Sequence, residues 1–169
     1  MRDAIGSTWV YSIVITFTLI FAGFLILVIS YSRAYKIKNE MITVLEKYEG
    51  ITQKNNSEGN DWGSIKIINN YLHNSGYTTK GKCPNEGTVL GAEDLTTSTL
   101  TKINSTNASK DYYYCIMVNK DTSGKAIFTI NVFYDFNLPV LGALQKYTVT
   151  GQTHKISNYK CNYKGSSTC

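Results

Sequence analysis

The stretch Trp9 to Tyr48, WVYSIVITFTLIFAGFLILVISYSRAYKIKNEMITVLEKY, decides the fold of this 169-residue chain. Within it, Val10 to Ile29 holds 20 residues without a charge. At about 1.5 Å of rise per residue, a helix of that length spans about 30 Å, the thickness of a bilayer's hydrocarbon core. The run exceeds the apolar core of a signal peptide, and no A-x-A cleavage pattern follows it. We therefore predict a retained membrane helix.

The helical period continues beyond the apolar run, and no proline interrupts it. Steps of three and four residues define one apolar stripe, here called the stalk stripe, which consists of Ile37, Met41, Val44, Leu45 and Tyr48. Gly50 is a candidate C-cap. The pattern predicts a single helix from about Thr8 to Glu49, whose second half packs on a sheet through the stalk stripe.

The chain divides by composition into three parts. Residues 1–7 form a short basic leader, 8–49 the membrane and stalk helix, and 50–169 a polar head domain long enough for a core of its own. A short helix is predicted from Trp62 to Leu72, with a stop signal at 73–76. The segment 78–107 has weak periodicity, which predicts one short strand and a long loop.

The end of the head is predicted to consist of strands. Asp111 to Asn119 and Ala126 to Phe136 are rich in aromatic and β-branched residues and flank a turn cluster at 120–124. A third strand is predicted from Leu144 to Thr150, a turn at Gly151-Gln152, and a fourth strand from His154 to Tyr163. The fold class is therefore α+β, with a long N-terminal helix on a small antiparallel sheet.

All four cysteines, Cys83, Cys115, Cys161 and Cys169, lie in the head. An even number outside the membrane segment indicates two disulfides and an oxidising compartment, whereas four free thiols would place the head in the cytoplasm. We predict the pairs Cys83–Cys115 and Cys161–Cys169. The alternative joins Cys83 to Cys161 and Cys115 to Cys169.

Two features disagree about the orientation of the span. Only Arg2 carries positive charge before it, while four basic residues follow it: Arg33, Lys36, Lys38 and Lys47. The positive-inside rule alone would put the head in the cytoplasm, but long domains translocate largely regardless of flanking charge. The cysteines favour an extracytoplasmic head on a single-pass anchor.

The sequence carries no pattern of a catalytic or cofactor site. It lacks G-x-S-x-G, H-E-x-x-H, a P-loop and any C-x-x-C pair, and its only histidines are His73 and His154. The net charge of +5 comes from scattered lysines and not from a basic run, which gives no support to nucleic-acid binding. We therefore expect no enzymatic activity, no cofactor and no bound metal.

Small residues recur on one face of the span. Ser12, Thr16 and Gly23, with Leu19 and Ser30, fall near one side of the helix. Small residues let membrane helices approach closely, although scattered Ser, Thr and Gly are also simply tolerated there. The first interpretation predicts helix packing through this small-residue face.

The residues around the span resemble those of a known family. A short leader with Arg2, a glycine and an unbroken apolar helix, followed by Ser32-Arg33-Ala34-Tyr35, resemble type IV pilin-like proteins, and most of all the TadE-type pseudopilins of tight-adherence pili. The resemblance covers roughly residues 2 to 40.

In that family a prepilin peptidase cuts after the glycine, which implies cleavage between Gly6 and Ser7. The family usually has a glutamate five residues past the glycine, where this sequence has Tyr11. The resemblance implies a structural subunit of a surface filament or of its assembly machinery, with other pilin-like subunits or further copies of itself as partners. The alternative is a monomeric, membrane-anchored extracytoplasmic domain that binds a ligand.

Overall fold

The computed structural model of this chain describes residues 2–52, 63–137 and 144–162. Its helices are α1 (Arg2–Lys47) and α2 (Ser64–Asn74). The strands in these residues are β1 (Gly50–Ile51), β2 (Gly81–Lys82), β3 (Thr88–Gly91), β4 (Thr101–Lys102), β5 (Asp111–Tyr112), β6 (Tyr114–Lys120), β7 (Ala126–Asn137), β8 (Leu144–Gln152) and β9 (Lys160–Cys161). The predicted α+β class, a long apolar N-terminal helix with an antiparallel sheet, is confirmed.

The main sheet has five antiparallel strands in the order β4-β3-β6-β7-β8. Strands β6 and β7 form the predicted hairpin, with Lys120 opposite Ala126 at its turn, and β8 pairs along β7. Two small pairs complete the head: β1 with β9 in parallel, and β2 with β5 antiparallel. The β1–β9 pair joins the place where the chain leaves α1 to the end of the described chain.

Side-chain alternation along the central strands separates two layers. Tyr114, Ile116 and Val118 of β6 belong to the main core, together with α1 and α2. Cys115 and Met117, which alternate with them, contact a second cluster on the opposite face. The period of two in this strand therefore places a helical layer on one face and a disulfide-linked loop layer on the other.

Helix α1 continues from the apolar run into the head without a break, including the stretch from Ser30 to Ile37. It ends at Lys47, two residues before the predicted Glu49. The residue that takes the left-handed conformation after the helix is Glu49, with a φ of 55°, and not the predicted cap Gly50. Gly50, at a φ of 117°, already belongs to β1.

The predicted turn at Gly151-Gln152 is wrong, because both residues belong to β8. A Cβ on Gly151 would lie 2.5 Å from Cδ of Lys38 and 2.8 Å from Cδ1 of Ile42, both on α1. The glycine therefore permits a close approach of helix and sheet. A bare backbone suits such an approach as well as it suits a turn, and the local sequence does not distinguish the two.

The predicted strand from His154 to Tyr163 is also wrong in the described residues. Only Lys160–Cys161 forms a strand there, and it pairs with β1 outside the main sheet. Ile156 makes a single bridge to Ala126.

The segment 78–107 holds more strand than predicted, because it contains three strands. Among them, β3 lies inside the main sheet and pairs with β6. Its four residues are too few to show a strand pattern of their own.

Candidate functional site at the junction of span and head

The apolar half of α1 projects from the head as an exposed helix. It is long and apolar enough to cross a membrane, and only 6% of its most apolar part is buried within the chain. Phe17, Ile20 and Phe24 are each more than half exposed. Side chains of this kind need either lipid or other helices around them.

The small-residue face lies along this projecting half. Ser12 and Thr16 are exposed, and Gly23 is buried. The hydroxyl of Thr16 donates a hydrogen bond to the backbone carbonyl of Ser12 at 2.9 Å, which satisfies its polarity within the helix. Such back-bonding removes the cost of placing the hydroxyl in an apolar environment. The face is therefore compatible with lipid or with a packed helix.

The stalk stripe lies on the same side of α1 as the small-residue face, and the two form one continuous surface along the helix. At about 100° per residue, Ser12, Gly23 and Met41 lie within about 20° of one another around the helix axis. Met41 and Leu45 are fully buried, Ile37 and Val44 nearly so, and Tyr48 packs partly buried against the same core. The structure thus places the stalk stripe against α2 and the sheet, and the small-residue face directly below the head.

Four tyrosines, here called the junction tyrosines, surround the level at which the span enters the head: Tyr31, Tyr35, Tyr134 and Tyr147. The Tyr31 ring stacks on Tyr35 at 6.3 Å and meets the edge of Tyr134 at 6.0 Å, and Tyr134 stacks on Tyr147 at 5.4 Å. The ammonium of Lys38 lies 4.0 Å from the centre of the Tyr35 ring. Tyrosines are enriched at the membrane–water interface because the ring is apolar and the hydroxyl stays wet.

A cleft of about 410 Å³, here called the junction cleft, opens beside these rings between α1 and the underside of the head. One wall is α1 from Ser30 to Ile37, with Arg33 and Lys36. The other wall comes from the end of α2, the segment that follows it and β7, with Tyr71, Ser75, Thr79, Tyr134 and Asp135. Its volume lies in the range of small-molecule sites, about 300–1,000 Å³.

Tyr77 holds the head wall of the cleft in place. Its hydroxyl donates to the carbonyl oxygen of Phe133 at 2.6 Å and accepts from the N–H of the same residue at 3.0 Å. Burial raises the pKa of Tyr77 well above its ordinary value of 10.0. The phenol therefore stays protonated, and its role is to link the segment after α2 to β7.

The predicted Cys83–Cys115 disulfide is present and pins the segment before β3 to β6 on the loop side of the sheet. Cys161 is also disulfide-bonded. Cys169 lies outside the described residues, so its pairing stays a prediction. The backbone of Gly6 and Ser7 lies within α1, and cleavage between them stays a prediction as well.

Within the described ranges, no group of three or more His, Cys, Asp or Glu side chains could hold a metal ion. His73 is exposed at the end of α2, and His154 is exposed in the loop after β8. His154 binds Glu46 of α1: its backbone N–H and its ring Nδ1 each lie 2.8 Å from the carboxylate oxygen Oε1. This contact fastens the loop to the stalk.

The prediction from sequence missed the junction cleft and the junction tyrosines. Tyr31 and Tyr35, four residues apart at the end of an apolar run, are the signal that could have indicated an interfacial belt. Their contact with Tyr134 and Tyr147 depends on the pairing of distant strands, which the sequence pattern does not show. Comparison with family models, with curated proteins and with solved structures finds no match for this chain.

Proposed function

We propose that this chain is a single-span, membrane-anchored structural subunit of a pilin-like surface assembly, or of the machinery that builds it, with its head outside the cytoplasm. The observation that supports this most is the unbroken α1. One helix serves first as the membrane anchor and then as a core element of the head. The head therefore cannot reorient without breaking its own core, unlike a domain on a Gly/Ser-rich or Pro-rich linker.

A rigid connection is useful where neighbouring copies have to hold a fixed orientation. A domain that only has to stay near the membrane gains nothing from it, because a flexible tether retains the domain equally well. The small-residue face supports the same proposal. It gives the span a side at which a second helix can approach closely, and that side keeps a fixed position below the head.

The cysteines support the proposed location of the head outside the cytoplasm. Cys83, Cys115 and Cys161 are all disulfide-bonded, and disulfides persist in oxidising compartments. The basic residues after the span favour the opposite side, but their influence on a head of this length is small.

Site-specific photo-cross-linking in membranes tests the proposal. A photo-reactive phenylalanine analogue replaces Leu19, on the small-residue face, or Phe21, on the opposite side of the helix. Both side chains are large and about half exposed, at 48% and 55%, so the two variants are matched. We expect cross-links to a second pilin-like chain from position 19 and far fewer from position 21.

A second substitution shows whether close packing causes the cross-links. Gly23→Leu adds bulk on the small-residue face and should abolish them, whereas Ala22→Leu adds the same bulk about 100° away and should not. Equal cross-linking from both positions, or none, would contradict packing through this face. A chain that stays monomeric throughout would favour the alternative of an anchored ligand-binding domain, for which the junction cleft is a candidate site.

A further inference from the structure

The junction cleft lies at the level of lipid headgroups. The apolar run ends at Ile29, and the α1 wall of the cleft begins one residue later at Ser30 and extends through Arg33 and Lys36 to Ile37. Along the helix, Ser30 lies about 1.5 Å beyond the run, Arg33 about 6 Å and Lys36 about 10.5 Å, and the long side chain of Lys36 can reach back toward the headgroups. The headgroup layer on each side of a bilayer is about 5 to 8 Å thick. With α1 across a membrane, the cleft beneath the head therefore lies in the layer of lipid headgroups.

The charges of the cleft are divided between its two walls. Arg33 and Lys36 are exposed on the α1 wall, and no salt bridge of the described residues involves either of them. Asp135 is exposed on the head wall, where one of its oxygens accepts a hydrogen bond from the Thr79 hydroxyl at 3.2 Å. A ligand that fits both walls carries negative charge on one side and positive charge on the other.

We propose that the junction cleft binds the headgroup of one zwitterionic aminophospholipid from the leaflet in which α1 enters the head. The lipid phosphate meets Arg33 and Lys36, because cations bind phosphate oxygens through charge-assisted hydrogen bonds. The lipid ammonium meets Asp135 and the nearby ring of Tyr71 or Tyr134, which attract cations. The acyl chains continue downward along the exposed apolar part of α1.

This binding gives a reason for positive charge on the head side of the span. Arg33 and Lys36 oppose the proposed orientation by the positive-inside rule, and phosphate binding compensates for that cost. The inference rests on α1 crossing a membrane and not on assembly into a filament. Failure of the cross-linking experiment would therefore leave it intact.

Native mass spectrometry of the full-length chain released from nanodiscs tests the inference. The nanodiscs contain phosphatidylethanolamine, phosphatidylglycerol or an equal mixture of the two. We expect one phosphatidylethanolamine retained per chain, and retention about tenfold or more weaker in the double variant Arg33→Gln/Lys36→Gln. The control Lys102→Gln/Lys125→Gln removes the same charge from exposed positions in the head, away from the cleft, and should retain lipid like the unmodified chain.

Asp135→Asn separates the two halves of the proposed headgroup site. It should reduce the preference for phosphatidylethanolamine over phosphatidylglycerol while phosphate binding remains. Equal lipid retention in the Arg33/Lys36 variant and its control would overturn the inference. Binding of soluble glycerophosphoethanolamine as tight as that of the lipid would also overturn it, because the cleft would then be a site for a soluble ligand.

Discussion

At the scale of single residues, the exit from α1 depends on Gly50. Its φ of 117° is unfavourable for any residue with a side chain. A Cβ there would overlap the carbonyl oxygen of Lys160 and lie 2.9 Å from the ring of Phe128. Only a glycine therefore lets β1 lie against β9 and tie the end of the stalk to the end of the described chain.

Gly50→Ala should therefore lower the free energy of unfolding by about 1–3 kcal/mol from backbone strain, with a further cost from the overlap. Gly87→Ala is the matched control, because Gly87 also has a positive φ, 76°, but has nothing within 4 Å of an added Cβ. Thermal unfolding of the full chain in detergent measures both. If both variants lose the same free energy of unfolding, the close contact of Gly50 with β9 contributes nothing to stability.

Glu46 gives the head a dependence on pH. Partial burial alone would raise its pKa, but the hydrogen bonds from the backbone and ring of His154, with the charge of that ring, lower it below 4.5. A carboxyl with a depressed folded-state pKa contributes stability above its unfolded value, and this contribution is lost as pH falls through the folded value. Asp121 adds to the same trend, because its hydrogen bonds with Lys155 and Thr122 lower its pKa to about 2.

The chain should therefore lose stability as pH falls below about 4.5, and Glu46→Gln should flatten that part of the profile. Denaturant midpoints measured from neutral pH down to about pH 3 would show this. Glu40→Gln removes a carboxylate from an exposed position on the same helix, one that makes no salt bridge within the described residues. The profile of this control should match that of the unmodified chain.

At the scale of elements, the second half of α1 is both stalk and core. Met41 and Leu45 are fully buried against the sheet and α2, while Thr43, on the other side of the helix, is exposed. An aspartate at either buried position would place an unpaired charge against apolar side chains. We expect Met41→Asp or Leu45→Asp to destabilise the head by about 3 kcal/mol or more, and Thr43→Asp to have little effect.

Thermal unfolding and hydrogen exchange of the three variants decide this. If Leu45→Asp unfolds at the same temperature as Thr43→Asp, the stalk stripe contributes no stability to the head, and the rigid connection loses its physical basis.

Elements with a long, regular pattern could be predicted from the sequence, and elements that depend on distant contacts could not. The period of the stalk stripe indicated the helix through Val44, and the aromatic and β-branched residues around Ile116 and Ile130 indicated the hairpin. Strand β3 has only four residues, and its assignment depends on β6. Gly151 has the signature of a turn but lies under α1. The junction cleft has no local pattern, because its walls come from three distant segments.

At the scale of the whole molecule, the Cys83–Cys115 bond closes a loop of 32 residues across the side of the sheet opposite the helices. In the chain-entropy model such a cross-link stabilises a fold by roughly 3–4 kcal/mol. Formation of this bond in cells would indicate an oxidising compartment for the head, because the thiols of a cytoplasmic head would be kept reduced.

When chain extracted from membranes without reductant is unfolded in the presence of an alkylating agent, Cys83 and Cys115 should therefore stay unmodified, and peptide mapping should join them. Reduction before unfolding should lower the melting temperature. A peptide that joins Cys83 to Cys161 would contradict the connectivity, and free thiols in freshly extracted protein would place the head in the cytoplasm.

The alignment of the small-residue face with the stalk stripe restricts how copies can be arranged. The head extends over the side of α1 at which a neighbouring membrane helix would pack. The α1 helix of a neighbour at the same height would clash with the underside of the head, near Tyr71 and Tyr134. Two copies can share this face only if one is displaced along the helix axis or if their helices diverge above Ser30. Where this face of one copy packs on a different surface of the next, such a displacement repeats from copy to copy and builds an ascending screw, whereas two copies that share the face with each other close as a pair.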